Sequence, residues 1–323
     1  MIAFGLSRLR MPALVAILTL VSLLAPPGSA GVTLARSPEG PTPAGNPPAA
    51  TAGGPSPVQT EANGVLLDLT MHSRLLDMDL PCRVYLPPGY FSTSERYPVL
   101  YLLHGGGSDY TEWTSKNHVQ DFADRLIASR RIQPMLIAMP EGKHSYFMNH
   151  ANDGQRWGDY LAEEVVSFID RSFRTIPDRA HRAVGGLSMG GEGALQLAFN
   201  YPAVFSIVGA HSPALYTPED ELPAFFGDLR YFSHYDPLTL AATRRAASSL
   251  QIWIDVGDGD PYLRATTSLH SILLARGIPH QWNVYPGPHD NSYWSEHTSD
   301  YLVFYSSAFV LGERHATASH AGP

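Results

Sequence analysis

The chain has almost no cysteine. A single one, Cys82, occurs in 323 residues, so no intrachain disulfide can form and the fold must be held by core packing. Cys82 lies in the strand-like run LPCRVYLPPGY, where an unpaired cysteine serves as a small buried apolar side chain. Positive charge is also scarce. With 22 Lys and Arg against 30 Asp and Glu, the formal net charge is −8, and no block of like charge interrupts the sequence. That balance lacks the basic face or stripe of a nucleic-acid-binding protein. Apolar runs long enough to cross a bilayer are missing as well.

The most apolar stretch lies at the N-terminus. MIAFGLSRLR carries Arg8 and Arg10, MPALVAILTLVSLLA follows, and PPGSA ends in small residues. This is the order of a secretory signal peptide over residues 1–30, with cleavage expected after Ala30. Export is therefore expected, to the medium or the cell wall, with no membrane span left after cleavage. Residues 31–61 are rich in Pro, Gly, Ala and Thr. They hold too few large apolar side chains to offset the entropy of ordering, so a disordered linker is expected. The folded domain is expected over 62–314, with a disordered tail at 315–323.

Within that domain strand-like and helix-like patterns alternate. YPVLYLLHGGG and PMLIAMPEG read as strands buried on both faces. NHVQDFADRLIASR and WGDYLAEEVVSFIDRSF have helical apolar spacing. HRAVGGLS, FSIVGAHSP, LQIWIDVGDGD and HQWNVYPG supply further strands, with helices between them and after them. The alternation predicts an α/β fold with a mostly parallel central sheet and helices on both faces. The opening pair of strand-like runs adds antiparallel strands at the N-terminal edge. Ligands of such sheets bind beyond the carboxyl ends of the strands.

At one of those ends stands VGGLSMGGEGAL, which contains the pattern G-x-S-x-G at Gly186-Leu187-Ser188-Met189-Gly190. A serine on a sharp strand-to-helix turn needs glycine two residues before and after, because side chains there meet neighbouring backbone. A serine hydroxyl also needs a base, and the base an orienting acid. In this kind of fold they follow in the order Ser, Asp or Glu, His. Asp260, which precedes Pro261 beyond the strand LQIWIDVG, is the expected acid, with Asp258 second and Asp255 assigned a structural hydrogen bond. EF-hand spacing is absent around this cluster, so calcium is not expected. His289, in the loop PGPHDN, is the expected base, and activity should then rise with pH through about 6 to 7. His280 and His297 are expected at the surface. The oxyanion donors are expected to be the backbone amides of Met189 and of Gly106 in HGGG, with Gly105 the alternative. The chemistry needs no metal or cofactor.

Taken together, YPVLYLLHGGG with Trp113, GLSMGGEGAL, DVGDGDPY and GPHDNSYW resemble the putative-esterase family of α/β-hydrolases. That family includes S-formylglutathione hydrolase, feruloyl and acetyl-xylan esterases, enterochelin esterases and the antigen 85 mycolyltransferases. The resemblance implies an α/β-hydrolase fold and a triad of Ser188, Asp260 and His289, with oxyanion amides at Gly106 and Met189. It leaves three readings: a serine esterase acting on a small or polysaccharide-linked ester, an acyltransferase serving an alcohol or sugar, and a non-catalytic cell-surface or binding protein. Loops expected near the strand ends bring Trp113, Tyr146, Asn149, Trp157, His211, Tyr293 and Trp294 as candidate substrate contacts. The aromatic segment 216–245 is a candidate lid.

Overall fold

The computed structural model describes residues 63–217 and 220–320. The expected signal peptide and linker lie outside them. Eight strands form one sheet among the described residues, in the order β1-β2-β4-β3-β5-β6-β7-β8. β1 (Val65–Ser73) and β2 (Met78–Leu86) make an antiparallel hairpin, and β2 runs antiparallel to β4 (Leu136–Pro140). From β4 onward every pairing is parallel: β3 (Val99–Leu103), β5 (Arg182–Leu187), β6 (Ile207–His211), β7 (Gln251–Gly257) and β8 (Gln281–Tyr285). This is the expected α/β-hydrolase architecture.

The strand patterns follow from the layers. β3, β4, β5 and β6 are buried along their whole length, because helices cover both faces. Successive side chains enter opposite layers. Tyr101 and Leu103 join one core with Val184, Phe199 and Phe205, while Leu100 and Leu102 join the other with Trp113, Ile137 and Phe309. β1, at the edge, alternates exposed and partly covered residues instead. The parallel strands also share a direction, so the residues after β3, β5, β6, β7 and β8 gather along one rim. His104, Ser188, Ser212, Asp260 and His289 all come from those five ends.

Two elements differ from the expected pattern. The helix predicted from WGDYLAEEVVSFIDRSF opens at Trp157–Asp159, widens into a π-type segment over Tyr160–Val165 and returns to α-helix at Val166–Ser172. The last helix runs from Asn291 to His320, past the boundary expected at 314. The sequence from Glu313 to His320 holds no Pro or Gly, so nothing stops the helix there. In the candidate lid, short helices stand at Ala224–Phe226, Leu229–Phe232 and Pro237–Thr243. Asp228 and Asp236 cap the latter two through backbone N–H groups of Tyr231, Leu238 and Thr239.

Candidate active site

Ser188 sits between β5 and the helix Met189–Asn200 with φ 53° and ψ −119°. Few non-glycine residues adopt such a backbone, and it persists only when the surroundings fix it. Here the Ser188 N–H donates to the His211 carbonyl at 3.0 Å, and the Ser188 carbonyl accepts from Gly191, Glu192 and Ala214 at 3.0–3.1 Å. The glycines are steric requirements. A Cβ on Gly186 would lie 2.4 Å from the Gly190 backbone, and one on Gly190 would lie 2.4 Å from the Leu103 carbonyl oxygen.

The Ser188 hydroxyl lies 2.8 Å from His289 Nε2, and His289 Nδ1 lies 2.7 Å from Asp260 Oδ2. With Nδ1–H donating to the carboxylate, Nε2 is left to accept the serine proton. Asp260 is buried, and its remaining capacity is filled. Oδ2 also accepts the Ser212 hydroxyl, and Oδ1 accepts the Tyr262 N–H at 2.7 Å. The imidazole is held between two rings: Tyr262 at 4.9 Å and Trp294, edge-on, at 5.0 Å between centroids. The loops that carry Asp260 and His289 are also tied together. Asp258 N–H donates to the Tyr285 carbonyl, Gly259 N–H to the Gly287 carbonyl, and Gly287 N–H to Asp258 Oδ1. Asp258 is thus a loop brace, and Asp260 is the carboxylate that meets His289.

Two backbone amides beside Ser188 remain available. Gly105 N–H is committed to the buried carboxylate of Glu112 at 2.7 Å. Among the described residues the N–H groups of Gly106 and Met189 have no acceptor. This geometry separates Gly106 from Gly105. The loop is braced from behind by His104, whose Nδ1–H donates to the Gly105 carbonyl while Nε2 accepts the Gly142 N–H, each at 2.9 Å. His144, exposed, stands over Gly106: a Cβ there would be 3.3 Å from the His144 ring.

The expected substrate contacts divide. Trp294 touches the imidazole, and Tyr146 packs 5.5 Å from the His144 ring and hydrogen-bonds Tyr216 through its hydroxyl at 2.8 Å. Asn149 instead binds Asp159 and the Gly158 N–H, so it holds a turn. Trp113 and Trp157 are corrections: both are buried, with indole N–H groups on the Leu103 carbonyl and Gln155. His211 and Tyr293 are also buried. Both bind Asp255, which accepts from His211 Nδ1, Trp253 Nε1, Tyr293 and Tyr301 at 2.7–2.9 Å. Burial, and then the Asp255 charge, hold the Tyr293 phenol far above its ordinary pKa. His280 and His297, expected to be solvated, are engaged as well: His280 meets His270 at 2.8 Å, and His297 stacks on Tyr285.

The family model described as "Putative esterase" matches residues 73–304. The chain belongs to this esterase family. It is 32% identical over 165 residues to an endo-1,4-beta-xylanase/feruloyl esterase of Xylanibacter ruminicola, covering 49% of this chain and 23% of that protein. An acetyl esterase of Caldicellulosiruptor saccharolyticus is 26% identical over 64% of this chain and 82% of its own. Among solved structures, a ferulic acid esterase aligns with a TM-score of 0.70 and 26% identity, over 76% of this chain and 99% of that one. Against the xylanase/feruloyl esterase, therefore, the matched stretch spans about a quarter of the relative's length.

Several residues of this esterase-family site escape a reading by motif. Ser212 holds Asp260, Glu112 holds the loop at Gly105, and Tyr262 flanks His289. Ser212 left no local signal: only the pairing of the β6 end with Leu187, immediately before Ser188, places it there. Glu112 carried a misleading signal, because its spacing to Lys116 reads as an exposed helix pair. Its Oε1 does lie 3.3 Å from Lys116 Nζ, while Oε2 turns inward to Gly105.

Proposed function

We propose that this protein is a secreted serine esterase that hydrolyses carboxylic esters through an acyl-enzyme. In this reading Ser188 Oγ attacks the ester carbonyl carbon while His289 Nε2 takes its proton. Asp260 fixes the imidazole and balances its positive charge. The oxyanion of the tetrahedral intermediate is held by the N–H groups of Gly106 and Met189, each such donor being worth about 10²–10³ in rate. Collapse breaks the bond to the alcohol oxygen, which receives the proton from His289. Water then attacks the acyl-Ser188 ester with the same base, releasing the acid and restoring the serine.

The observation that carries the reading is the hydrogen-bonded chain from Ser188 through His289 to Asp260, beside two uncommitted amides. The relatives' names, feruloyl and acetyl esterase, set the first esters to test. Export is part of the proposal, supported by the charged, apolar and small-residue order of the first 30 residues. Hydrolysis of p-nitrophenyl acetate and methyl ferulate by wild type, abolished in Ser188→Ala, is the expected result. A fluorophosphonate probe should label wild type and not the variant. Equal labelling of both, or none of wild type, overturns the proposal. With added glycerol, a product dominated by glyceryl ester would replace hydrolysis by acyl transfer.

A further inference from the structure

Residues 141–147 leave the end of β4 and turn back beside the HGGG loop. Three of them, Lys143, Tyr146 and Phe147, have positive φ, from 49° to 53°. Side chains other than glycine rarely adopt that conformation, and it persists only where the surroundings impose it. Here buried groups impose it. Glu141 accepts the Lys143 N–H at 2.6 Å, His104 Nε2 accepts the Gly142 N–H at 2.9 Å, and Ser145 Oγ accepts the Phe147 N–H at 3.0 Å. The Gln196 side chain, from the helix that begins at Met189, donates to the Phe147 carbonyl. His104 also donates to the Gly105 carbonyl, so one buried imidazole fixes this turn against the oxyanion loop.

The turn presents His144. Its side chain is exposed, and neither ring nitrogen has a hydrogen-bond or ion-pair partner among the described residues. Its ring neighbours are Tyr146 at 5.5 Å and Phe225 at 6.3 Å, both edge-on. The edge that carries Cε1 and Nδ1 faces Gly106. Those two atoms lie 3.3 and 3.4 Å from the place a Gly106 Cβ would take, and Met189 Cβ lies 3.8 Å from the same point. The two residues with uncommitted amides and the imidazole therefore meet at one spot. A Cβ stands about 2.5 Å from its own backbone nitrogen, which puts His144 Nδ1 within about 6 Å of the Gly106 nitrogen. An oxygen that accepts the Gly106 N–H stands about 3 Å from that nitrogen, and a ring held by no hydrogen bond can turn toward it.

We propose that His144 is a further catalytic residue: a ring N–H donates to the substrate carbonyl oxygen as it becomes the oxyanion, alongside the amides of Gly106 and Met189. The proposal rests on the esterase reading and adds a side-chain donor to two backbone donors. His289, which bonds the Ser188 hydroxyl, remains the base, and His144 keeps its proton throughout. A hydrogen bond to an oxygen strengthens as that oxygen gains charge. The His144 bond therefore favours the transition state over bound substrate and is read in kcat rather than in KM.

The test compares wild type, His144→Phe, His144→Asn and His144→Gln on p-nitrophenyl acetate. Phenylalanine keeps a ring against Tyr146 and Phe225 but has no donor. The amides of asparagine and glutamine place N–H groups near the Nδ1 and Nε2 positions. His144→Phe should lower kcat by about ten- to a hundredfold, with KM within about twofold of wild type. At least one amide variant should recover most of that loss. Phenylboronic acid, whose adduct with Ser188 sets a negatively charged boronate at the oxyanion site, should bind His144→Phe more weakly by a similar factor. An unchanged kcat in His144→Phe, a loss confined to KM, no recovery in either amide variant, or an unchanged boronic acid affinity overturns the proposal. Where wild type hydrolyses the ester and His144→Phe matches it, only the role of His144 falls. Where wild type neither hydrolyses the ester nor takes a fluorophosphonate, the esterase reading falls and this proposal with it.

Discussion

Asp260→Asn isolates the role of the acid from its role in holding the loop. The carboxylate has three fixed donors around it: His289 Nδ1–H and the Ser212 hydroxyl on Oδ2, and the Tyr262 N–H on Oδ1. An asparagine can enter in two orientations. With its NH₂ in the Oδ1 position it would face the Tyr262 N–H, donor against donor, and leave a buried amide unpaired at about 1–3 kcal/mol. With its NH₂ in the Oδ2 position it donates to Ser212 Oγ, which can accept, and its oxygen still takes the Tyr262 N–H. His289 then accepts at Nδ1 by moving its proton to Nε2. Every hydrogen bond is kept, so this arrangement wins. The imidazole now presents N–H to Ser188 and cannot take its proton. A wrong tautomer of this kind costs about 10⁴ in kcat in a serine-protease triad, or about 5 kcal/mol at 1.36 kcal/mol per decade. The prediction is therefore a nearly unchanged Tm and a rate on p-nitrophenyl acetate reduced by about four orders of magnitude. Asp258→Asn, which keeps an acceptor for the Gly287 N–H at an exposed site, should stay within about threefold of wild type. A folded Asp260→Asn with more than a tenth of wild-type activity, or equal losses in the two variants, refutes the assignment.

Three further outcomes follow from the same geometry. Ser212→Ala removes one of the donors to Asp260 Oδ2; stopped assays should show kcat lower by about tenfold with KM little changed, since a hydrogen bond to a charged group is worth about 1.5–3 kcal/mol and His289 keeps its own. Gly190→Ala would place a methyl 2.4 Å from the Leu103 carbonyl oxygen, a backbone atom that cannot yield; loss of soluble protein or a destabilisation above about 3 kcal/mol in urea unfolding is expected. Burial pushes the Cys82 thiol up to about 12, so almost no thiolate exists at pH 8, and a disulfide-exchange reagent should label it only after unfolding. Labelling of the native protein at the rate of a free thiol would place Cys82 outside the core.

What could be read from the sequence was whatever depends on local period and on chain punctuation. β3 to β7 announced themselves as short apolar runs, and Ser188, Asp260 and His289 each stood where such a run gave way to Gly or Pro. A parallel sheet then brings those ends to one rim, because all its strands point the same way. What could not be read depends on register between distant strands. His211 and Ser212 are consecutive at the end of β6, and alternation sends them apart. The His211 ring stacks on Tyr301 at 3.5 Å and binds Asp255, whereas Ser212 reaches Asp260. Nothing local distinguishes the two; the pairing of β6 with β5 and β7 decides it. Trp113 and Trp157 were misplaced for a related reason. Their polar neighbours suggested open loops, yet each ring fills core volume while its single N–H finds one acceptor. Glu192 is the sharpest instance. In GGEGAL it looks like a carboxylate suited to a helix N-terminus in water, and only the three-dimensional count of partners reveals that it is buried, one turn from Ser188, with no hydrogen-bond partner for Oε2 among the described residues.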